Sequence, residues 1–163
     1  MRVLGIDPGS RNTGLGVVDA NGREITLVEF RTIRMGSEPL AHRLGRIFEG
    51  VGEIIHQARP DMVAVEQVFV SNNAKSALVL GQARGAAICA AVQAGIEVSE
   101  YSALQVKQSV VGTGSARKEQ VQHMVRVLLG MTRTPKSDEA DALACAICHI
   151  HTSQVSSRIL SAT

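Results

Sequence analysis

Four acidic residues stand where the surrounding sequence is built for a core. Asp7 closes the apolar run Val3-Leu4-Gly5-Ile6, and Glu66 interrupts Met62-Val63-Ala64-Val65 ahead of Gln67-Val68-Phe69-Val70. Asp138 and Asp141 open Asp138-Glu139-Ala140-Asp141-Ala142-Leu143-Ala144. Their spacing of three puts both on one face of a helix and points Glu139 elsewhere. A carboxylate embedded in a core strand must reach an exposed edge, pair with a cation or bind a metal, because an unpaired buried charge is costly. Oxygen donors with few histidines nearby suit a hard cation, and Mg²⁺ is the usual ion of phosphate chemistry because it keeps waters and accepts one or two carboxylates. Two such ions held about 4 Å apart would activate a water and stabilise the leaving oxygen of a phosphodiester. Phosphodiester hydrolysis is the chemistry implied.

Each acid also has an ordinary explanation. Asp138 could cap the N-terminus of a helix with Asp141 as the acid of a capping box, both near the positive end of the helix dipole. Asp7 could cap the turn at Pro8-Gly9. Glu66 is harder to dismiss, because a mid-strand glutamate serves no turn.

The elements that must position these residues can be read from hydrophobic period and punctuation. Arg2 to Asp7 is a buried strand, and Gly14 to Ala20 is a second after the turn-rich Pro8-Gly9-Ser10-Arg11-Asn12. Asn21-Gly22 fits a two-residue hairpin into a third strand from about Arg23 to Ile33. Pro39 to Ala58 has helical spacing with proline near its start. Met62 to Val70 is expected as a buried parallel strand, Ala74 to Ala94 as a long helix rich in small residues, and Ile96 to Tyr101 as a fifth strand. Three helices follow over Ser102 to Val111, Lys118 to Leu129 and Asp138 to about His151. This order, βββαβαβααα, suggests an α/β domain whose mixed five-stranded sheet is flanked by helices. One domain is expected over residues 1–152, with a flexible C-terminal tail at 153–163. The small-residue surface of the long helix is read as packing on the sheet, with contact to a second copy as the alternative.

Composition narrows the function. Aromatic residues make up 2% of the 163 positions, too few for a stacking platform for single strands or RNA. The formal net charge is only +2, but with four of the 15 acids gathered in one pocket, 17 basic residues face 11 acids elsewhere. That excess favours a phosphate backbone. No apolar run has the length of a membrane span, and Asp7 comes too early for a signal peptide, so a cytoplasmic protein is expected. Cys89, Cys145 and Cys148 are an odd set that fits reduced thiols.

The motifs then converge on a family. Gly5-Ile6-Asp7-Pro8-Gly9-Ser10 with Thr13-Gly14, Val65-Glu66-Gln67-Val68-Phe69, Gly112-Thr113-Gly114 with Ala116 and Lys118-Glu119-Gln120-Val121, and Asp138 to Ala144 resemble, in order, the blocks of bacterial RuvC Holliday junction resolvases. The likeness spans nearly the whole chain. It implies an RNase H-like fold and a homodimer that makes paired nicks in four-way junction DNA. Asp7, Glu66, Asp138 and Asp141 would be its catalytic, metal-holding quartet, with two Mg²⁺ per site, or Mn²⁺ in their place. Cleavage would leave a 5′-phosphate and a 3′-hydroxyl. The resemblance also places Lys107 and Lys118 beside the cut DNA, Phe69 at the junction centre against opened bases, and the branch-migration proteins RuvA and RuvB among the partners. Glu139 departs from the small or neutral residue expected there.

Other motifs carry less. Cys145-Ala146-Ile147-Cys148-His149 matches a haem-attachment pattern but continues an amphipathic helix, and His149 and His151 face different directions, which disfavours zinc. A phosphate loop of the actin and sugar-kinase type needs two domains closing over nucleotide, more than this length provides. An RNase H-like nuclease acting on RNA and a junction-binding module that does not cut remain as alternatives.

Overall fold

The first three strands form the expected antiparallel meander: β1 (Arg2–Asp7), β2 (Asn12–Asn21) and β3 (Glu24–Arg34). Asn21 pairs with Glu24, so the two-residue turn is Gly22-Arg23, one residue beyond the expected Asn21-Gly22, and Gly22 takes a positive φ of 60° at its first position. Helix α1 (Leu40–Ala58) then crosses to β4 (Met62–Glu66), which pairs parallel with β1. Helix α2 (Ala74–Gln93) leads to β5 (Val98–Tyr101), parallel with β4. Helices α3 (Ala103–Val111), α4 (Lys118–Leu128) and α5 (Ser137–Ser161) complete the chain. The strands lie in the order β3-β2-β1-β4-β5, so β1 is central. This computed structural model describes residues 1–67 and 73–161, with side chains as far as residue 155.

Strand alternation divides the core in two. Leu4, Ile6, Leu15, Val17, Val63 and Val65 pack with α1 and α2 on one face. Val3, Val18 and Ala64 pack with α3, α4 and α5 on the other. Asp7 lies four residues after Val3 and Glu66 two after Ala64, so both acids belong to the face covered by α5.

Helix α5 lies unusually close to the sheet because the strands beneath it lack side chains where they meet it. A Cβ at Gly5 would strike the Ala142 carbonyl, one at Gly14 the Asp138 carbonyl, and one at Gly16 the Leu143 side chain. Ala140, Ala142, Ala144 and Ala146 of α5 are fully buried. Glycine inside a strand here serves close approach of another backbone.

Several boundaries differ from expectation, β2 among them, which begins at Asn12 instead of Gly14. β4 ends at Glu66, and Gln67 lies outside any strand; residues 68–70 of the expected strand lie outside the described residues. Glu66 is therefore terminal, not mid-strand. β5 begins at Val98 instead of Ile96, because the Ile96 N–H still bonds the Ala91 oxygen at the end of α2. α5 continues through Ser161, so the expected tail is helical to that point. Polar side chains there serve the helix itself: Thr152 donates to the Cys148 oxygen at 2.8 Å and Ser153 to the Ile150 oxygen at 2.9 Å. Gln154 donates at 2.7 Å to the Gly22 oxygen of the β2–β3 turn. Among the described residues no helix is long and apolar enough to cross a membrane.

Candidate active site

Asp7, Glu66, Asp138 and Asp141 line one cleft of about 240 Å³, together with Lys107, Lys118, Ala103, Val106 and Val121. Asp7 and Glu66 enter from the C-terminal ends of adjacent parallel strands, whose register sets Ile6 beside Val65. Asp138 and Asp141 enter from the first turns of α5, which the glycines of β1 and β2 admit close to the sheet.

The two lysines come from α3 and α4. α3, which bears Lys107, starts at a capping box: Ser102 accepts from the Gln105 N–H at 3.3 Å, and the Ser102 N–H donates to Gln105 Oε1 at 2.8 Å. Gly112, at φ 89°, ends that helix. Lys118 is the first residue of α4 and its Nζ lies 3.7 Å from Asp141 Oδ2. A lysine at a helix N-terminus opposes the dipole, so the fold gains little by placing it there.

The electrostatics follow from this crowding. Burial, then repulsion from Asp141, Glu66 and Asp138, pushes Asp7 up to about 8 against relief from Lys118. Burial raises Glu66, with Asp141 adding to the effect and Lys118 and Lys107 opposing it. Asp141 is raised by burial and by Asp138, while Lys118 and the Ser137 hydroxyl, 3.5 Å from Oδ2, pull it down. Three acids that resist ionisation beside one another form a site short of positive charge.

Among the described residues no three acidic, histidine or cysteine side chains already gather at ligating distance around one point. The donor set still suits hard divalent cations, because four carboxylates and no imidazole or thiol line the cleft. Phe69 lies outside the described residues.

Residues 3–149 match the family described as crossover junction endodeoxyribonuclease RuvC. This chain belongs to the RuvC family. The RuvC of Shewanella sediminis is 57% identical over 152 residues, covering 93% of this chain and 88% of that one. A Thermus thermophilus RuvC structure superposes with a TM-score of 0.87 at 40% identity, covering 96% of this chain and 97% of that one. The T. thermophilus RuvC in complex with Holliday junction substrate gives a TM-score of 0.91 at 41% identity, with 96% of each chain covered. The RNase H-like sheet is thus the RuvC sheet, and the resemblance carried by the sequence blocks holds along the chain.

Glu139, the departure within the last RuvC-like block, does not enter the cleft. It is 6% exposed and accepts the Lys136 N–H at 2.9 Å and Arg133 Nη1 at 3.3 Å. It therefore satisfies a donor at the start of α5, the role open to Asp138 and Asp141 on sequence alone, and leaves those two to the cleft. The Arg133 guanidinium in turn lies 4.5 Å from the centre of the Phe30 ring. Sequence reasoning also passed over Ser137, although its spacing of four from Asp141 is a helical neighbour relation.

Proposed function

We propose that this chain is a structure-selective endonuclease that resolves Holliday junctions by paired, symmetric nicks, in recombination and repair of DNA. One observation carries the proposal: four carboxylates from three distant segments and two lysines line a single cleft, in a chain of RuvC type. Asp7, Glu66, Asp138 and Asp141 would hold divalent cations, Mg²⁺ or Mn²⁺, two to a site. When bound, such ions supply Lewis acidity and a water of lowered pKa for in-line attack on phosphorus. The chain's own residues do the rest. The raised proton affinities of Asp7, Glu66 and Asp141 mean that cation and proton compete for the same oxygens. Lys118 and Lys107 hold the scissile phosphate against the anionic cleft, and Lys118 keeps Asp141 oriented meanwhile. The products are a 5′-phosphate and a 3′-hydroxyl.

A four-way junction has approximate two-fold symmetry, which a homodimer with two identical sites matches. Phe69 is assigned to the junction centre, RuvA and RuvB to the partners and the cytoplasm to the location, all on the family likeness. Residues 1–152 form the nuclease domain. The deciding experiment offers a synthetic four-way junction, the linear duplex of the same sequence and an RNA–DNA hybrid, each with Mg²⁺. Paired nicking of the junction alone is expected. Preferential cutting of the hybrid would assign an RNA substrate, and tight junction binding without nicking would leave only a binding module.

A further inference from the structure

Glu66 stands at the point where the sheet stops supporting β4. The N–H of Val63 bonds the Glu97 oxygen and that of Gln67 bonds the Tyr101 oxygen, so odd-numbered residues of β4 turn their backbone groups toward β5. Even-numbered residues, Glu66 included, turn theirs toward β1. The register that sets Ile6 beside Val65, continued to the end of β4, brings the Glu66 carbonyl opposite the nitrogen of Pro8. Proline carries no N–H there. The carbonyl behind a candidate metal-holding acid has therefore lost its ladder donor.

Arg84 of α2 supplies one. Its Nε donates to the Glu66 backbone oxygen at 3.3 Å, and its Nη2 pairs with Glu100 Oε2 on β5 at 2.5 Å. Its side chain is 21% exposed. A planar guanidinium holding two acceptors fixes their relative position in a way that an ammonium does not. Arg84 is not among the residues lining the cleft, so it reaches the acid only through the main chain.

We infer that Arg84 is a positioning residue: its guanidinium replaces the ladder bond that Pro8 withholds and fixes the backbone from which Glu66 enters the cleft. Pro8 and Arg84, remote in sequence, then form one device. The proline ends β1 so that Asp7 sits at the strand end, and the arginine makes good the donor that β4 loses by it. This rests on the assignment of Glu66 as a metal-holding acid.

The test compares the full-length wild type with Arg84→Met, Arg84→Lys, Glu66→Gln and the double variant Pro8→Ala/Arg84→Met. Mn²⁺ binding is measured by calorimetry, junction affinity without divalent cation, and single-turnover cleavage across a Mg²⁺ range. Arg84→Met should weaken Mn²⁺ binding and raise the Mg²⁺ needed for half-maximal rate on the order of 10-fold, with junction affinity unchanged. Arg84→Lys should fall between, since it keeps a donor without the fork. Pro8→Ala restores an N–H opposite the Glu66 carbonyl and should recover much of the lost metal affinity. Wild-type metal binding in Arg84→Met overturns the inference, as does a loss confined to junction affinity, which would make Arg84 a DNA contact. Failure of Pro8→Ala to recover any affinity overturns it as well. Should Arg84→Met not fold, Arg84→Lys alone carries the metal titration, with wild-type values counting against the inference. Glu66→Gln that binds Mn²⁺ and cleaves normally would remove Glu66 from the site, an outcome distinct from any result at Arg84.

Discussion

Asp7 is held in its protonated form well above the ordinary carboxylate range, to about 8, and this has a sign that can be tested. A carboxyl group whose pKa is higher in the folded state than in the unfolded chain binds protons more tightly when folded. The favourable contribution is complete below the unfolded value near 4 and is lost as pH rises toward 8. Replacing Asp7 by Asn removes that penalty. Asp7→Asn should therefore raise the melting temperature at pH 8.5 without divalent cation by at least about 2 °C, with the gain shrinking as the pH is lowered. Junction cleavage should meanwhile fall at least about 100-fold, the scale of losing a group that acts on transition-state charge. Differential scanning calorimetry and single-turnover kinetics report the two effects, and full cleavage by Asp7→Asn would sink the site. Lys118 makes the complementary case. It opposes the α4 dipole at the first helical position and pairs with Asp141 at only 3.7 Å while 70% exposed. Lys118→Gln should leave stability within about 0.5 kcal/mol but lower cleavage, and a variant that unfolds without losing specific activity would show a structural lysine instead.

At the scale of elements, the site depends on how near α5 lies to the sheet. Gly14→Ala would push a Cβ into the Asp138 carbonyl, whereas a Cβ at Gly45 in α1 meets nothing within 4 Å. The first should destabilise by about 1–3 kcal/mol and displace the helix that carries both aspartates. The second should stabilise by about 0.5–1 kcal/mol, because alanine is the better helix residue. Urea unfolding and cleavage rates on the pair check this; equal behaviour would mean that α5 can yield without moving the acids. The same region shows what could be read in advance. Period and turn signals were enough for the element order, because β1 is an unbroken apolar run and Asn21-Gly22 marks the β2–β3 hairpin to within one residue of its Gly22-Arg23 turn. Asp7 and Glu66 were legible as acids attached to apolar runs, although Glu66 ends its strand instead of interrupting it. The end of β4 was not legible, because it depends on Pro8 just beyond the end of neighbouring β1, and no local signal reports a partner's missing N–H. The extension of α5 was hidden by polar residues that read as loop formers, although the Thr152 and Ser153 hydroxyls bond back to helix carbonyls. Glu139 was rightly pointed away from the two aspartates, but its own role was not legible, because identity and spacing cannot say which acid of a cluster accepts the Lys136 N–H at the helix start.

For the whole molecule, charge distribution is the property that the fold adds to composition. A net charge of +2 is unremarkable, yet four acids and two lysines are drawn into one cleft, leaving 15 of the 17 basic residues against 11 of the 15 acids outside it. An anionic site on an otherwise cationic particle must be brought to DNA by the surface around it. Each phosphate neutralised releases counterions and adds roughly −0.9 to the slope of log affinity against log salt. If a dimer applies two such surfaces, the slope for junction binding without divalent cation should be about −5 or steeper over 50–300 mM salt. Lys107→Gln/Lys118→Gln should make it shallower by roughly one unit for each phosphate contact removed. Fluorescence anisotropy on a labelled junction measures the slope, and sedimentation of the same samples establishes whether two protomers share it. A flat response would mean that the basic excess does not meet the backbone. A steep response from a monomer would keep the charge argument but remove the two-fold match between protein and junction, and with it the physical reason for paired cuts.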